Sequence, residues 1–246
     1  MSNYVFKKPE NECGLGNLLI KLTSMPAECI CVHDNVYDYE LSNCMILNGL
    51  TRVSYDGVQP ESPIFINNGT MEHIHSKIRS IVEPTPHMLE LISKHTHLLD
   101  GVVAAMSIRR GSYCEDSRQY KGARGDEPMQ YFCSPSGLER FKNIIRATPG
   151  RVFVSSDSVS TTHQLLQEFG GKLSVLEMPY TVTSTQDQGT PTIENLQKVY
   201  LKWFLLSKCP IVFLTGGTEG SLVGFSTYAY IAAVYGSKPC HVVYND

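Results

Sequence analysis

The chain has no long hydrophobic run. No stretch approaches the roughly 20 consecutive apolar residues that a membrane-spanning helix requires. It has no excess of one charge either: 21 Lys and Arg stand against 24 Asp and Glu, a net charge of −3. That balance leaves no broad basic field for nucleic acid or an anionic membrane, so any anionic ligand has to be held by local arginines. The Cys-x-x-Cys spacing of a structural zinc site is missing, as is an Asp-x-Asp pair that would carry a metal-bound diphosphate. His73-x-His75 and His95-x-His97 have the spacing of ligands, but residues i and i+2 do not share a helix face, so no metal is expected. The N-terminal MSNYVFKKPENE is too polar for a signal peptide, so the eight cysteines are expected as reduced, mostly buried thiols in a cytoplasmic protein.

What is present is an α/β pattern. Val102–Ile108 is an apolar run between Gly101 and Arg109-Arg110-Gly111, which reads as a buried central strand of a parallel sheet. Before it, Thr85 caps a helix with Pro86 at its first position, running to about Leu99. After it, helices over 136–147, 161–169, 192–206 and 224–235 alternate with strands at 151–154, 173–176, 210–214 and 238–244. This alternation argues for parallel βαβ units.

The first hundred residues alternate less regularly. Strands are expected at 4–6, 29–32 and 63–67, and a helix over 71–82. Gly14-x-Gly16-Asn17 precedes a helix expected to start at Leu18, an arrangement that aims backbone N–H groups at a ligand. The fold class is therefore α/β, with two Rossmann-like lobes built mostly from parallel sheets. The seam falls near residue 100, giving lobes 1–100 and 101–246 with the ligand between them. The long polar segment at 114–130 reads as a mobile loop over a site, and 179–191 as a Thr/Gln-rich loop.

Three strand ends of the second lobe carry ligand-type residues. They are Arg109-Arg110-Gly111, Ser155-Ser156-Asp157, and Thr215–Ser221 leading to Ser226. In open α/β sheets the carboxyl ends of strands bind ligands. Paired guanidinium forks there suit a diphosphate, so a nucleotide-type site is expected.

The order of these features resembles the fucosyltransferase superfamily, which includes α1,2-, α1,6- and protein O-fucosyltransferases. The resemblance rests on Gly14-x-Gly16-Asn17, the Pro-initiated helix, the strand ending Arg109-Arg110-Gly111, the Ser155-Ser156-Asp157 strand end, and Leu205-Leu206-Ser207-Lys208-Cys209-Pro210-Ile211-Val212 before a Ser-containing helix. It implies a GT-B-like fold and a metal-independent, inverting glycosyltransferase with no cofactor. The donor implied is a nucleotide-sugar, GDP-fucose first, and the acceptor a glycan or glycoprotein taken by the first lobe. Arg109 would grip the β-phosphate and stabilise the departing diphosphate, with Arg110 bracing the loop. Asp157 and Ser156 would contact the nucleoside, and Ser221 or Ser226 the phosphates. Glu115 or Asp116 would serve as base for the acceptor hydroxyl.

The family pattern is His-x-Arg-Arg-Gly-Asp-Tyr, whereas this chain has Ser107 and Ser112 at the His and Asp positions. That departure admits two alternatives: another activated deoxysugar such as a rhamnose donor, or a binding module without catalysis. With no membrane anchor, a bacterial or viral cytoplasmic enzyme is the expected setting, in the host cytoplasm if viral.

Overall fold

A computed structural model describes residues 5–6, 15–24, 31–33, 43–49, 51–53, 77–110, 132–177, 193–217, 219 and 225–245. The chain divides into two compact units, Met1–Ser93 and Lys94–Asp246.

In the first unit, β1 (Val5–Phe6), β2 (Cys31–His33) and β4 (Thr51–Val53) form a parallel sheet in the order β1-β2-β4. A second pair is antiparallel: β3 (Met45–Leu47) against β5 (Val82–Pro84). The helix α1 spans Leu15–Ser24, three residues earlier than the expected start at Leu18. Leu15, Leu18, Leu19 and Leu22 recur at i, i+3, i+4 and i+7 and are all buried, so this apolar stripe carries the helix back through the glycine. Gly16 and Asn17 accordingly lie in its first turn and not in a loop.

The helix expected over 71–82 is also corrected. Residues 77–81 are helical, but Val82–Pro84 is a strand, because Ile46 and its neighbours in β3 offer an antiparallel partner. Residues 71–76 and the expected strand at 63–67 lie outside the described residues. Helix α2 (Pro86–His95) starts where expected. Thr85 Oγ1 accepts from the Met88 N–H at 3.1 Å, and a short 3-10 turn, Thr96–Leu99, continues the chain to Asp100.

The second unit is a five-stranded, all-parallel sheet. Its strands are β6 (Val102–Ile108), β7 (Arg151–Ser156), β8 (Leu173–Val175), β9 (Val212–Thr215) and β10 (Cys240–Val243), in spatial order β10-β9-β6-β7-β8. Counted from β6, this is the 3-2-1-4-5 order of a doubly wound Rossmann sheet.

Helices α3 (Pro135–Ala147) and α4 (Val159–Phe169) pack on one face. There Leu138, Phe141, Ile145 and Leu165 close over Ala104, Met106, Ile108, Val152 and Val154, a wholly apolar layer. Alternation along the strands sends Ala105, Ser107, Phe153, Ser155, Val212 and Leu214 to the other face. Helices α5 (Ile193–Lys208) and α6 (Thr227–Gly236) pair with each other and contact β7 and β9, which places them on that face. They approach so closely that a Cβ on Gly236 would fall 1.8 Å from the Ser207 carbonyl oxygen, so only glycine fits. Trp203 is fully buried there, its ring 5.0 Å from those of Phe204 and Tyr235.

Candidate functional site

The spatial order places β9, fourth in sequence, directly beside β6, the first. Between them the direction of strand addition reverses, which makes this the switch point at which open α/β sheets hold their ligands. Both strand ends there carry chemistry. β6 runs into Arg109 and Arg110, while β9 ends in Thr215 followed by Gly216 and Gly217.

Thr215, wholly buried, ties the two ends together. Its Oγ1 donates to the Ser107 carbonyl at 3.0 Å and accepts the Arg109 N–H at 2.9 Å. Its own carbonyl accepts the Ser226 N–H at 2.8 Å, which brings the N-terminus of α6 to the same edge. Ser226, 4% exposed, is the N-cap residue of α6, and its hydroxyl makes no capping bond. The first N–H groups of a helix and its dipole favour an anion at this position.

The two arginines have different surroundings. Arg109 is half-buried, and its guanidinium lies 5.2 Å over the Phe132 ring, a cation–π contact that orients the fork. Arg110 is buried. Its Nη1 donates to the Cys133 carbonyl at 2.6 Å, and its backbone N–H donates to Asp157 Oδ1 at 2.7 Å. Arg110 thus clamps the turn, with Asp157 reaching across from the end of β7.

Ser156 Oγ accepts the Ser158 N–H at 3.1 Å, and Ser158 caps α4 by accepting from Thr161 N–H at 3.0 Å. Ser107 is 6% exposed, paired with Ser155 of β7 inside the sheet. The Cys133 thiol is pushed up to about 12 by burial, against the pull of nearby Arg110, so it stays protonated and is no nucleophile.

Of the residues singled out in the sequence, Ser107, Arg109, Arg110, Ser156, Asp157 and Ser226 come together along the carboxyl edge of the second unit. Gly16 and Asn17 belong to the first unit. Gly14, Ser112, Glu115, Asp116 and Ser221 lie outside the described residues.

Three further residues shape the edge. Thr215 is one. Asn245 is the second: its Oδ1 accepts the Ser134 N–H (2.8 Å), its Nδ2 donates to the Phe132 carbonyl (2.9 Å), and its N–H donates to Gly217 O (3.0 Å). It therefore fastens the Phe132–Ser134 strip that supports both arginines to the loop after β9. The third is Lys202 of α5, 7% exposed, whose Nζ donates to the Ser156 carbonyl at 3.3 Å. Burial lowers its pKa to about 8, partly offset by the charge of Asp157. A sequence signal for Lys202 existed, since it interrupts the apolar run Val199–Leu206. Asn245 had none.

No family model matches the sequence, and no curated protein matches it. Solved structures do match. The chain is similar to NodZ alpha-1,6-fucosyltransferase co-crystallised with GDP, with TM-score 0.54 and 12% identity over 95% of this chain and 92% of that one. It is likewise similar to NodZ soaked with GDP-fucose, with TM-score 0.55 and 11% identity over 96% and 93%. Fucosyltransferase NodZ from Bradyrhizobium gives TM-score 0.54 at 11% identity over 94% and 92%. At such identities the likeness defines the fold: the chain is built on the α/β, GT-B-like architecture of these fucosyltransferases. No helix among the described residues is long and apolar enough to cross a membrane.

Proposed function

We propose that the chain is a glycosyltransferase that moves a deoxysugar from a nucleoside-diphosphate donor, GDP-fucose first, to a glycan or glycoprotein acceptor. The observation that carries this reading is Arg109, a half-buried guanidinium at the switch point of a doubly wound sheet. Its backbone is locked by Thr215 and its side chain is steadied by Phe132. A preorganised cation beside the N-terminus of α6 suits a leaving diphosphate, whose charge grows as the sugar departs. The shared fold with an enzyme crystallised with GDP and with GDP-fucose supports the choice of donor.

In this reading the second unit holds the donor and the first faces the acceptor. The acceptor oxygen attacks the anomeric carbon as the bond to the β-phosphate oxygen breaks, inverting the centre, and the hydroxyl proton passes to a carboxylate. Glu115 and Asp116 are the candidates for that base. Arginine and helix-terminal N–H groups supply the charge stabilisation, so no metal and no cofactor are invoked.

Calorimetric titration with GDP in EDTA tests the reading. The wild type binds, and Arg109→Ala, which removes charge-assisted bonds of about 1.5–3 kcal/mol each, binds about 10- to 100-fold more weakly with an unchanged Tm. Undiminished binding by R109A overturns the role of Arg109. Release of GDP from GDP-fucose across a panel of glycan acceptors separates a transferase from the second reading, a binding module without catalysis. The serine at position 107, where the resembled family has histidine, favours that second reading.

A further inference from the structure

Lys202 is a buried cation that donates to a backbone carbonyl beneath the edge where the proposed donor would bind. A lysine in such a place costs stability, because a backbone carbonyl does not neutralise its charge. The ammonium donates to the Ser156 carbonyl at 3.3 Å, the last residue of β7, and the next residue is Asp157. Asp157 in turn receives the Arg110 N–H at 2.7 Å, at the turn that presents Arg109. A chain of contacts thus runs from α5 through the Ser156-Asp157 strand end to the arginine turn.

We propose that Lys202 is a positioning residue of the donor site: its ammonium holds the Ser156-Asp157 turn so that Asp157 keeps the arginine turn aligned for a nucleoside diphosphate. This rests on the donor reading above. Lys202 is enclosed, so it acts through Asp157 and does not touch the ligand.

Among the described residues, the groups facing Lys202 are few. From the β7 end there is Asp157, whose negative charge favours the ammonium. Tyr228 of α6 donates to the Val199 carbonyl of α5 at 2.6 Å and is kept neutral by burial, so it adds no charge between the two helices. As pH rises through about 8 the ammonium becomes a neutral amine: its attraction to Asp157 is lost and its N–H groups hold the Ser156 carbonyl more weakly. The terminal phosphate of GDP, with a pKa of about 6, is already ionised over that range.

The test is GDP affinity between pH 7 and 9.5 for the wild type, Lys202→Met and Lys202→Arg, with Tm recorded for each. The expected wild-type affinity falls as pH passes about 8. K202M binds about tenfold more weakly at pH 7, the size of a coupling within one hydrogen-bond network, and shows no such fall. K202R retains affinity at pH 7 and keeps it at pH 9.5. A Tm for K202M that does not drop excludes unfolding as the cause. If the wild type binds GDP and K202M binds equally, with the same pH profile, the proposal is overturned while the donor reading stands. If the wild type binds no GDP at any pH, the donor reading is overturned and the proposal with it.

Discussion

Lys142 on α3 and Lys202 on α5 are similarly covered, 6% and 7% exposed, on opposite faces of the five-stranded sheet. The Lys142 ammonium ends among carboxylates that reach solvent, whereas that of Lys202 ends deep beneath the strand edge. Their partners differ. Lys142 has Glu139 at 2.9 Å and Glu168 at 3.0 Å, and although burial pulls its pKa down, these two carboxylates outweigh it and the net shift is upward. Lys202 has a carbonyl at 3.3 Å and the more distant charge of Asp157, so burial wins and its pKa falls to about 8. The α3/α4 face is therefore arranged for stability, with an apolar layer and satisfied charges. The α5/α6 face, with Ser107, Ser155 and Lys202 near the strand ends, accepts a cost at the edge where Arg109 stands. Such a local penalty beside a cluster of ligand-type residues is where function is expected.

The largest effect should come from the apolar face. Phe141 is wholly buried against Met106, Val152 and their neighbours. Phe141→Ala should cost about 3–5 kcal/mol in chemical denaturation, from lost transfer energy plus the cavity. GDP affinity should be unchanged at temperatures where the variant is folded. A large loss of affinity would show that the two faces are not separable.

Next is Lys202 itself, with the opposite sign. Its folded pKa of about 8 lies below the ordinary 10.5. Between those values the unfolded chain binds more protons, so wild-type stability rises with pH across that window. Lys202→Met removes the buried charge, flattens that rise, and gains up to about 3 kcal/mol at pH 7. A destabilised K202M would break the comparison between the faces.

Thr215→Val keeps the shape but deletes the hydroxyl that bridges Arg109 N–H and Ser107 O. Leaving those buried groups without it should cost about 1–3 kcal/mol. It should also weaken GDP binding without removing any charge, which distinguishes alignment of the arginine turn from its electrostatics.

Much of this was legible from the residues. β6 stood out because six of its seven residues are buried, on both faces of the sheet, and such residues can only be apolar or small, while the cap at Thr85-Pro86 is local chemistry. The three-residue strands β3 and β4 are too short to show a period, and β5 hid behind Ile78 and Ile81, which continue a helical spacing into it. The start of α1 was misplaced because a Gly-x-Gly pair outranked the leucine stripe that decides it. At the site, Arg109, Arg110, Asp157 and Ser226 announce themselves at strand ends. That β9 lies beside β6, so that Thr215 locks Arg109, depends on pairing across more than a hundred residues and has no local mark. Asn245 is silent for the same reason: its partners Phe132 and Ser134 are far away in sequence.

The smallest effect, and the one that closes the comparison, is Lys142→Met. The pair partners Glu139 and Glu168 reach solvent, so the ion pairs are screened and worth little. Because the folded pKa of Lys142 is raised, its contribution is present below the unfolded value and lost only as pH climbs past the folded one. K142M should therefore lower Tm by about 2 °C at pH 7, less at high salt, and leave GDP affinity alone. The two lysine-to-methionine variants should shift Tm in opposite directions, and only the one beneath Asp157 should shift ligand binding. Equal signs for both would mean that neither the partner nor the depth of each ammonium decides its contribution.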